Sequence, residues 1–271
     1  MRDAGHVVES AAREGVARAL GHTGRGVFTF VGDSGRLVLF VGKVLTRLRR
    51  RPFRGRAILA QIDFIGARSV TVIALSATFT GLVLALQGHS VLVRFGSANL
   101  VGSLVALSLT RELAPVLTGL MVTARAGSAM AATIGNMAVT EQIDALDSLS
   151  VDPLSYLVVP RLVAAIVCVP LLAALFSVAG IAAAYLLAVG ALGVDGLAFM
   201  SNVRSSVEWK DVWVGLVKAA VFGALLAAVA TFRGYETRGG AEGVGRSTSR
   251  TVVESAVLIL CGDYVMTALL F

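Results

Sequence analysis

The chain has 271 residues, of which 56% are apolar and only 15% are charged. This balance excludes an ordinary water-soluble domain. The net charge of +7 does not indicate nucleic-acid binding, because thirteen of the 24 Lys and Arg residues precede residue 69 and so lie before the first apolar run. Basic residues in this position are typical of the cytoplasmic end of a membrane span and of contact with anionic lipid.

The segment before the first long apolar run divides into two parts. Residues 1–26 predict a cytoplasmic tail, since they contain no apolar core of a cleaved signal peptide. Residues 27–65 predict an amphipathic region, in which apolar residues such as Phe40 alternate with charged ones such as Lys43 and Arg47. This pattern indicates an interfacial helix that lies on the cytoplasmic leaflet while its basic side chains reach lipid phosphates.

Five apolar runs then reach the length of about 18 residues that crosses a bilayer core. They are residues 69–93, 113–135, 162–190, 212–232 and 251–271. We therefore predict an all-α integral membrane protein, with an N-terminal interfacial helix followed by a five-span permease domain over 66–271. A cytoplasmic N-terminus places the C-terminus outside, and the basic loop at 233–250 then lies inside, as the distribution of positive charge requires.

The stretch 100–135 is too long for one simple crossing, since a single helix would extend about 54 Å. Arg111, Glu112 and Pro115 interrupt it. We predict a short outer segment that ends near residue 110 and a span that begins near Pro115, because proline suits a first helical turn. Arg111 and Glu112 either neutralise each other or serve function, since charges at membrane depth are costly.

The inner loop at 136–160 lacks the basic residues that its side of the membrane usually carries. Its charged residues are Glu141, Asp144, Asp147 and Asp152. Residues 139–149 predict a short cytoplasmic helix that is capped by Thr140 and carries an apolar ridge beside the acidic residues. Such a helix is typical of insertion into a groove on a soluble partner, and a solvated connector is the alternative.

The last third of the chain offers no evident catalytic or metal site. Glu254 and Asp263 are nine residues apart and should lie on nearly opposite faces of a helix, so no paired-carboxylate site is predicted. We expect Asp263 to bind an Arg or to cap a neighbouring helix. The glycine-rich loop before the last span lacks the sequence of a nucleotide-binding loop. It predicts a flexible inner turn, or, with Arg246 and Arg250, a contact with lipid phosphate or an ATPase.

Short motifs occur in a fixed order along the chain. They are RELAPVLTGL at 111–120, ARAGSA at 124–129, VTEQIDAL at 139–146, VDP at 151–153, PR at 160–161, GVGR at 243–246 and DYVMTAL at 263–269. Together they closely resemble the MlaE/YrbE permeases over roughly residues 35–271. Members of that family are inner-membrane subunits of bacterial ABC systems that work with MCE-domain proteins and move phospholipids or other lipids between membranes.

The resemblance implies a role for several residues. The 139–149 helix would be the coupling helix that docks on a cytoplasmic ABC ATPase, which would hold the ATP and Mg, so that this chain needs no cofactor. The residues of that contact would be Glu141, Gln142, Asp144, Leu146 and Asp147. Arg111 and Glu112 would lie near an outward-facing lipid cavity between two copies of the chain. Leu84, Val91 and Phe95 would line it.

Two alternatives to a lipid transporter subunit stay open at this stage. One is a membrane-embedded enzyme of lipid metabolism that uses Glu112, Glu254 or Asp263 as acid or base. The other is a passive scaffold that only anchors an ATPase.

Overall fold

The computed structural model describes residues 32, 35–47 and 55–270, and these residues are helical with short connections. The described residues divide into two units, with the boundary between Thr46 and Arg47. A first helix, α1, covers residues 35–47, so the predicted amphipathic segment is helical in that part. The tail at 1–26 and residues 27–31, 33–34 and 48–54 of the amphipathic region lie outside the described residues. The interfacial position of α1 stays a prediction.

Five helical segments in the second unit are long and apolar enough to cross a membrane, which confirms the predicted number of spans. They are Gly55–Arg94, Ala98–Val139, Leu154–Gly190, Trp209–Tyr235 and Gly240–Leu270. Each begins before the corresponding apolar run, and the first, second and fourth also end beyond it. The reason is that a helix continues into the polar zone as long as its backbone stays hydrogen-bonded, whereas an apolar run stops at the first charged residues.

The first span consists of two helices, α2 (Gly55–Ile65) and α3 (Val70–Arg94), joined by a turn at Gly66 and Ala67–Ser69. Arg125 of the second span holds this turn. Its guanidinium nitrogens donate to the Phe64 carbonyl at 2.9 and 3.0 Å, and one of them also donates to the Ser69 hydroxyl at 3.1 Å. The carbonyls at the end of α2 thus receive a cationic partner.

The second span is one helical run from Ala98 to Val139, so the predicted break near Pro115 is wrong. Its α-helical parts are α4 (Val101–Ser108), α5 (Ala114–Val122) and α6 (Ser128–Val139), and the wider π turns Leu109–Leu113 and Thr123–Gly127 connect them. Pro115 follows the first π turn. The missing N–H of a proline leaves a carbonyl in the preceding turn without its usual donor, and a local π turn accommodates this without ending the helix.

A short helix, α7 (Gln142–Ser148), follows on one side of the membrane domain. The third span contains a π turn, Leu154–Val158, and α8 (Val159–Gly190). Another short helix, α9 (Gly196–Ser206), precedes the fourth span, α10 (Trp209–Tyr235), and the fifth is α11 (Gly240–Leu270).

The prediction of a flexible loop at 233–250 is wrong, because α10 and α11 cover all of this segment except residues 236–239. Gly239 and Gly240 have φ of 90° and 68°, a left-handed conformation that glycine adopts at low cost, and they end this connection. Arg246 and Arg250 therefore lie on the exposed surface of α11, and not on a loop. Arg246 is 3.7 Å from the Glu242 carboxylate.

Small residues set the distances between the spans. Gly81 of α3 faces the backbone of Gly180 on α8, and Gly223 of α10 faces the Ala165 carbonyl of α8, in both cases without room for an added Cβ. Burial from lipid gives little drive for helix association, so close backbone approach has to supply the contacts. The helix α8 thus contacts α3 at Gly180 and α10 at Ala165.

Replacing Gly81 with Ala should lower the free energy of unfolding by about 1–3 kcal/mol, because the new methyl group overlaps the Gly180 backbone. The matched control is Gly245→Ala on α11, where an added Cβ meets no atom within 4 Å. Thermal unfolding of the detergent-solubilised chain measures both. An unchanged or higher melting temperature for Gly81→Ala would contradict the packing described above.

Candidate functional site

A fully buried lysine lies where three spans meet. Lys218 of α10 has no exposed side-chain surface, and its Nζ lies 2.6 Å from Oε2 of Glu112, which is in the first π turn of the second span. The same Nζ is 3.2 Å from Oδ1 of Asp263 and 2.7 Å from the hydroxyl of Thr267, both on α11. A buried ammonium needs such partners. We call Glu112, Lys218, Asp263 and Thr267 the charged cluster.

Local sequence features explain why the helices meet in this way. Gly215 lies one turn before Lys218, and its missing Cβ lets α10 approach the Thr110 carbonyl of the π turn directly. Pro115 has no N–H to donate to the carbonyl of Arg111, four residues earlier. The Lys218 ammonium lies 3.3 Å from that carbonyl and donates to it instead.

Arg111 and Glu112 do not neutralise each other. The Arg111 guanidinium pairs with Oδ1 of Asp211 at 2.8 Å, whereas Glu112 pairs with Lys218. Asp211 is buried at the start of α10, and its second oxygen accepts the Glu208 N–H at 3.0 Å. Consecutive helical residues point about 100° apart and so reach different partners.

The two carboxylates of the last span do not meet, and each pairs with a different cation of α10. Asp263 binds Lys218, whereas an Arg or the end of a neighbouring helix was the predicted partner. Glu254 accepts two hydrogen bonds from Arg233, at 2.6 Å from Nε and 2.7 Å from Nη2. This bidentate geometry is the strongest arrangement of an arginine with a carboxylate. It joins α10 to α11 near the connection between these two helices.

Neither Lys218 nor the pairing of Asp211 with Arg111 was predicted from the sequence. The available signal was a lone cation in the middle of the apolar run at 212–232, since an ionisable residue inside a span is usually paired or functional.

The residues predicted to line a lipid cavity lie on another helix. Leu84 is half-buried, and Val91 and Phe95 are 52% and 76% exposed. Leu84 and Val91 lie on α3, and Phe95 directly follows it. The helix α3 packs mainly on α8 and α4, whereas the charged cluster is built from the π turn, α10 and α11. Their place in a cavity wall stays a prediction.

The predicted coupling segment contains the helix α7, but Thr140 does not cap it. Thr140 ends α6, and its hydroxyl donates to the Asn136 carbonyl at 2.8 Å. Glu141 then adopts a left-handed conformation, with φ of 58°, and turns the chain into α7. Ile143 is buried and holds the helix in place. Of the residues predicted for the ATPase contact, Glu141, Gln142, Asp144 and Asp147 are exposed and Leu146 is half-buried.

Asp152 begins the third span. Its carboxylate accepts hydrogen bonds from Ser155 at 2.7 Å, from Arg47 at 3.0 Å and from the Leu154 N–H at 3.3 Å. Burial alone would raise the pKa of Asp152, but the hydrogen bonds of Ser155 and Arg47 and the charge of Arg47 outweigh it and lower this pKa. Asp152 thus caps the helix, in the ionised form.

The comparisons with known proteins cover most of the chain. The family described as "Permease MlaE" matches residues 58–269. A probable ABC transporter permease protein of Rickettsia typhi is 41% identical over 248 residues, which are 92% of this chain and 96% of the relative. The intermembrane phospholipid transport system permease protein MlaE of Haemophilus influenzae is 40% identical over 215 residues, or 79% and 82% of the two chains. The chloroplastic protein TRIGALACTOSYLDIACYLGLYCEROL 1 of Arabidopsis thaliana is 34% identical over 233 residues, or 86% and 67%.

Replacing Lys218 with Met should lower the free energy of unfolding by about 3–5 kcal/mol, because Glu112 and Asp263 lose their shared buried cation. The triple variant that adds Glu112→Gln and Asp263→Asn should recover most of this loss, since no unpaired charge remains. Unfolding of the purified variants in mixed detergent measures both differences. Equal stability of wild type and Lys218→Met would contradict the pairing.

Replacing Asp152 with Asn should destabilise the chain at neutral pH and make less difference in acid. A carboxylate with a lowered pKa in the folded state contributes stability above its unfolded pKa of about 3.9, and this contribution disappears as the pH falls through the folded value. The melting temperatures of wild type and Asp152→Asn should therefore converge below about pH 4. A constant difference at all pH values would show that ionisation of Asp152 does not matter.

Proposed function

The chain belongs to the MlaE permease family, and we propose that it moves phospholipids between membranes together with a cytoplasmic ATPase and an MCE-domain protein. It is a multi-pass ABC transporter permease with five apolar helices. The proposed membrane is the bacterial inner membrane, with the N-terminus in the cytoplasm and the C-terminus in the periplasm.

The charged cluster is the observation that carries this proposal. A fully buried ammonium with two carboxylates is costly inside an otherwise apolar domain, and such groups are usually functional. Glu112 and Asp263 keep 36% and 21% of their side-chain surface exposed, so the cluster has an open side. In the proposed arrangement, Arg111 and Glu112 line an outward-facing lipid cavity near the phospholipid headgroup.

The acyl chains need apolar walls, and the exposed side of α3 offers them. We assign Leu84, Val91 and Phe95 to these walls. The outer half of α11 carries exposed apolar residues as well, among them Val265 and Leu269, and no residue from 261 to 270 is buried within the described chain. A second copy of this chain that covers this surface would close the cavity at the interface of the two copies.

The helix α7 has the features of a contact site for an ATPase. Ile143 anchors it to the membrane domain, while Asp144 and Asp147 are exposed and lack basic neighbours on the same helix. Carboxylates in this arrangement suit a groove with basic residues on a soluble partner. In this proposal, ATP and Mg bind to the ATPase, and Arg246 and Arg250 contact either that partner or lipid phosphates.

Reconstitution separates this proposal from the enzyme and scaffold alternatives. The chain is placed in vesicles with its ATPase and MCE-domain partner, and a labelled phospholipid is followed with and without ATP. We expect ATP-dependent transfer of chemically unchanged phospholipid, and no transfer by the chain alone. Conversion of the phospholipid by the isolated chain would favour an enzyme. A full complex that hydrolyses ATP without moving lipid would favour a scaffold.

Reversing the charges of Asp144 and Asp147 tests the ATPase contact. The variant Asp144→Lys with Asp147→Lys should lose co-purification with the ATPase, because each change places a cation where the partner is expected to present one. Asp63→Lys, at an exposed residue of α2, is the control. Intact assembly of the double variant, with normal ATP hydrolysis, would rule out docking through these two carboxylates.

A further inference from the structure

One buried cation of the membrane domain has no anionic partner in the described part of the chain. Arg161, near the start of α8, is 9% exposed, and its Nη1 donates to the Leu157 carbonyl of the preceding turn. No carboxylate of the described residues lies within ion-pairing distance of its guanidinium, and its Nε and Nη2 find no acceptor among these residues. Since a guanidinium has five N–H donors, most of the hydrogen-bonding capacity of Arg161 is unused.

The half-buried arginines of the other spans all have partners within the chain. Arg111 and Arg233 each pair with a carboxylate. Arg125 makes three hydrogen bonds to the end of α2 and the turn that follows it. Arg161 is more deeply buried than these three and has fewer partners. Because a buried charge without a counter-ion is costly, its guanidinium indicates an anion that comes from outside the described residues.

The unused donors of Arg161 are open to a ligand. Neither Nε nor Nη2 is both buried and unpaired, so the small exposed surface of this side chain includes these two nitrogens. The N–H groups of a guanidinium form a planar fork that matches two oxygens of a phosphate or a carboxylate. The free side of Arg161 therefore suits an oxyanion.

The level of Arg161 along the third span indicates which oxyanion is near. The segment Leu154–Gly190 has 37 residues and extends about 55 Å. The hydrocarbon core of a bilayer takes about 30 Å of this length, so a centred helix has about 12 Å at each end in the polar zone. Arg161 lies about 10 Å beyond Leu154 and thus at the level of the lipid headgroups.

We propose that Arg161 binds the phosphate group of a phospholipid at the end of the third span that follows α7. The phosphate supplies the negative charge that the described chain lacks at this position. Its oxygens accept hydrogen bonds from Nε and Nη2, while Nη1 keeps its bond to the Leu157 carbonyl.

This site is separate from the charged cluster. Gly223 of α10 faces the Ala165 carbonyl of α8. Arg161 and Lys218 lie on opposite sides of that contact, because α8 and α10 are antiparallel, and they are about 13 Å apart along the helix axes at 1.5 Å per residue. The proposed phospholipid is thus a ligand of the membrane domain at a second place, and this inference does not depend on lipid transport.

Thermal unfolding of the purified, delipidated full chain in a maltoside detergent, which carries no phosphate, tests the site. The additions are phosphatidylglycerol, diacylglycerol with the same acyl chains, and inorganic phosphate. A ligand that binds only the folded chain raises its melting temperature. We expect phosphatidylglycerol to raise it by about 5 °C more than diacylglycerol does. Inorganic phosphate should give a smaller rise, because it lacks acyl chains.

The variant Arg161→Met removes the cation and keeps a long side chain. Without lipid, it should melt at the same temperature as the wild type or higher, because a buried charge without a counter-ion is gone. The additional rise with phosphatidylglycerol should be lost. Arg161→Lys should keep part of it, since lysine has the charge but not the planar fork. Arg204→Met, at an exposed arginine of α9, is the matched control and should respond like the wild type.

Each outcome supports or overturns the proposal. An equal response of the wild type to phosphatidylglycerol and diacylglycerol would overturn it, and this result needs no variant to fold. A rise with inorganic phosphate alone would overturn the assignment to a phospholipid. An undiminished response of Arg161→Met would place the lipid phosphate elsewhere. A large loss of stability in Arg161→Met without lipid would mean that the chain itself satisfies this charge. A chain with the Arg161-dependent rise that transfers no phospholipid would contradict the proposed function and not this site.

Discussion

The charge of Lys218 constrains how the fourth span meets its neighbours. An ammonium with no exposed surface needs acceptors on every side, and these come from the second and fifth spans. The backbone supplies one of these acceptors, because Pro115 has no N–H to donate to the Arg111 carbonyl. Gly215 lets α10 come close enough for Lys218 to donate to this carbonyl. Three helices that lipid would hold together only weakly are thereby joined at one defined position.

Away from the charged cluster, the spans meet through backbone contacts between small residues. Gly180 and Ala165 of α8 each face a glycine of another span, which places α8 between α3 and α10. Such contacts set the distance between two helices, whereas the ion pairs fix the position of one helix along the axis of the other. Arg233 and Glu254 supply a second register contact between α10 and α11, closer to their connection.

The five spans could be predicted from the sequence, since a bilayer sets the minimum length of an apolar run. The span boundaries, the continuity at Pro115 and the end of α6 at Thr140 could not, because each depends on where a backbone group finds a donor or acceptor. The ion pairs could not be predicted either. Arg111 and Glu112 are adjacent in sequence but bind different partners, and Lys218 is more than a hundred residues away from Glu112, the carboxylate nearest to its ammonium.

The unbroken second span has a mechanical consequence. From Ala98 to Val139 it is a single rod of about 63 Å at 1.5 Å per residue, with the turn into α7 at one end and Glu112 on its other half. A displacement of the turn into α7 therefore reaches the ion pairs along the continuous hydrogen-bonded backbone of this span. The two π turns are the places where such a rod bends or rotates most easily, so a force applied at the α7 end would be converted into torsion next to the carboxyl groups.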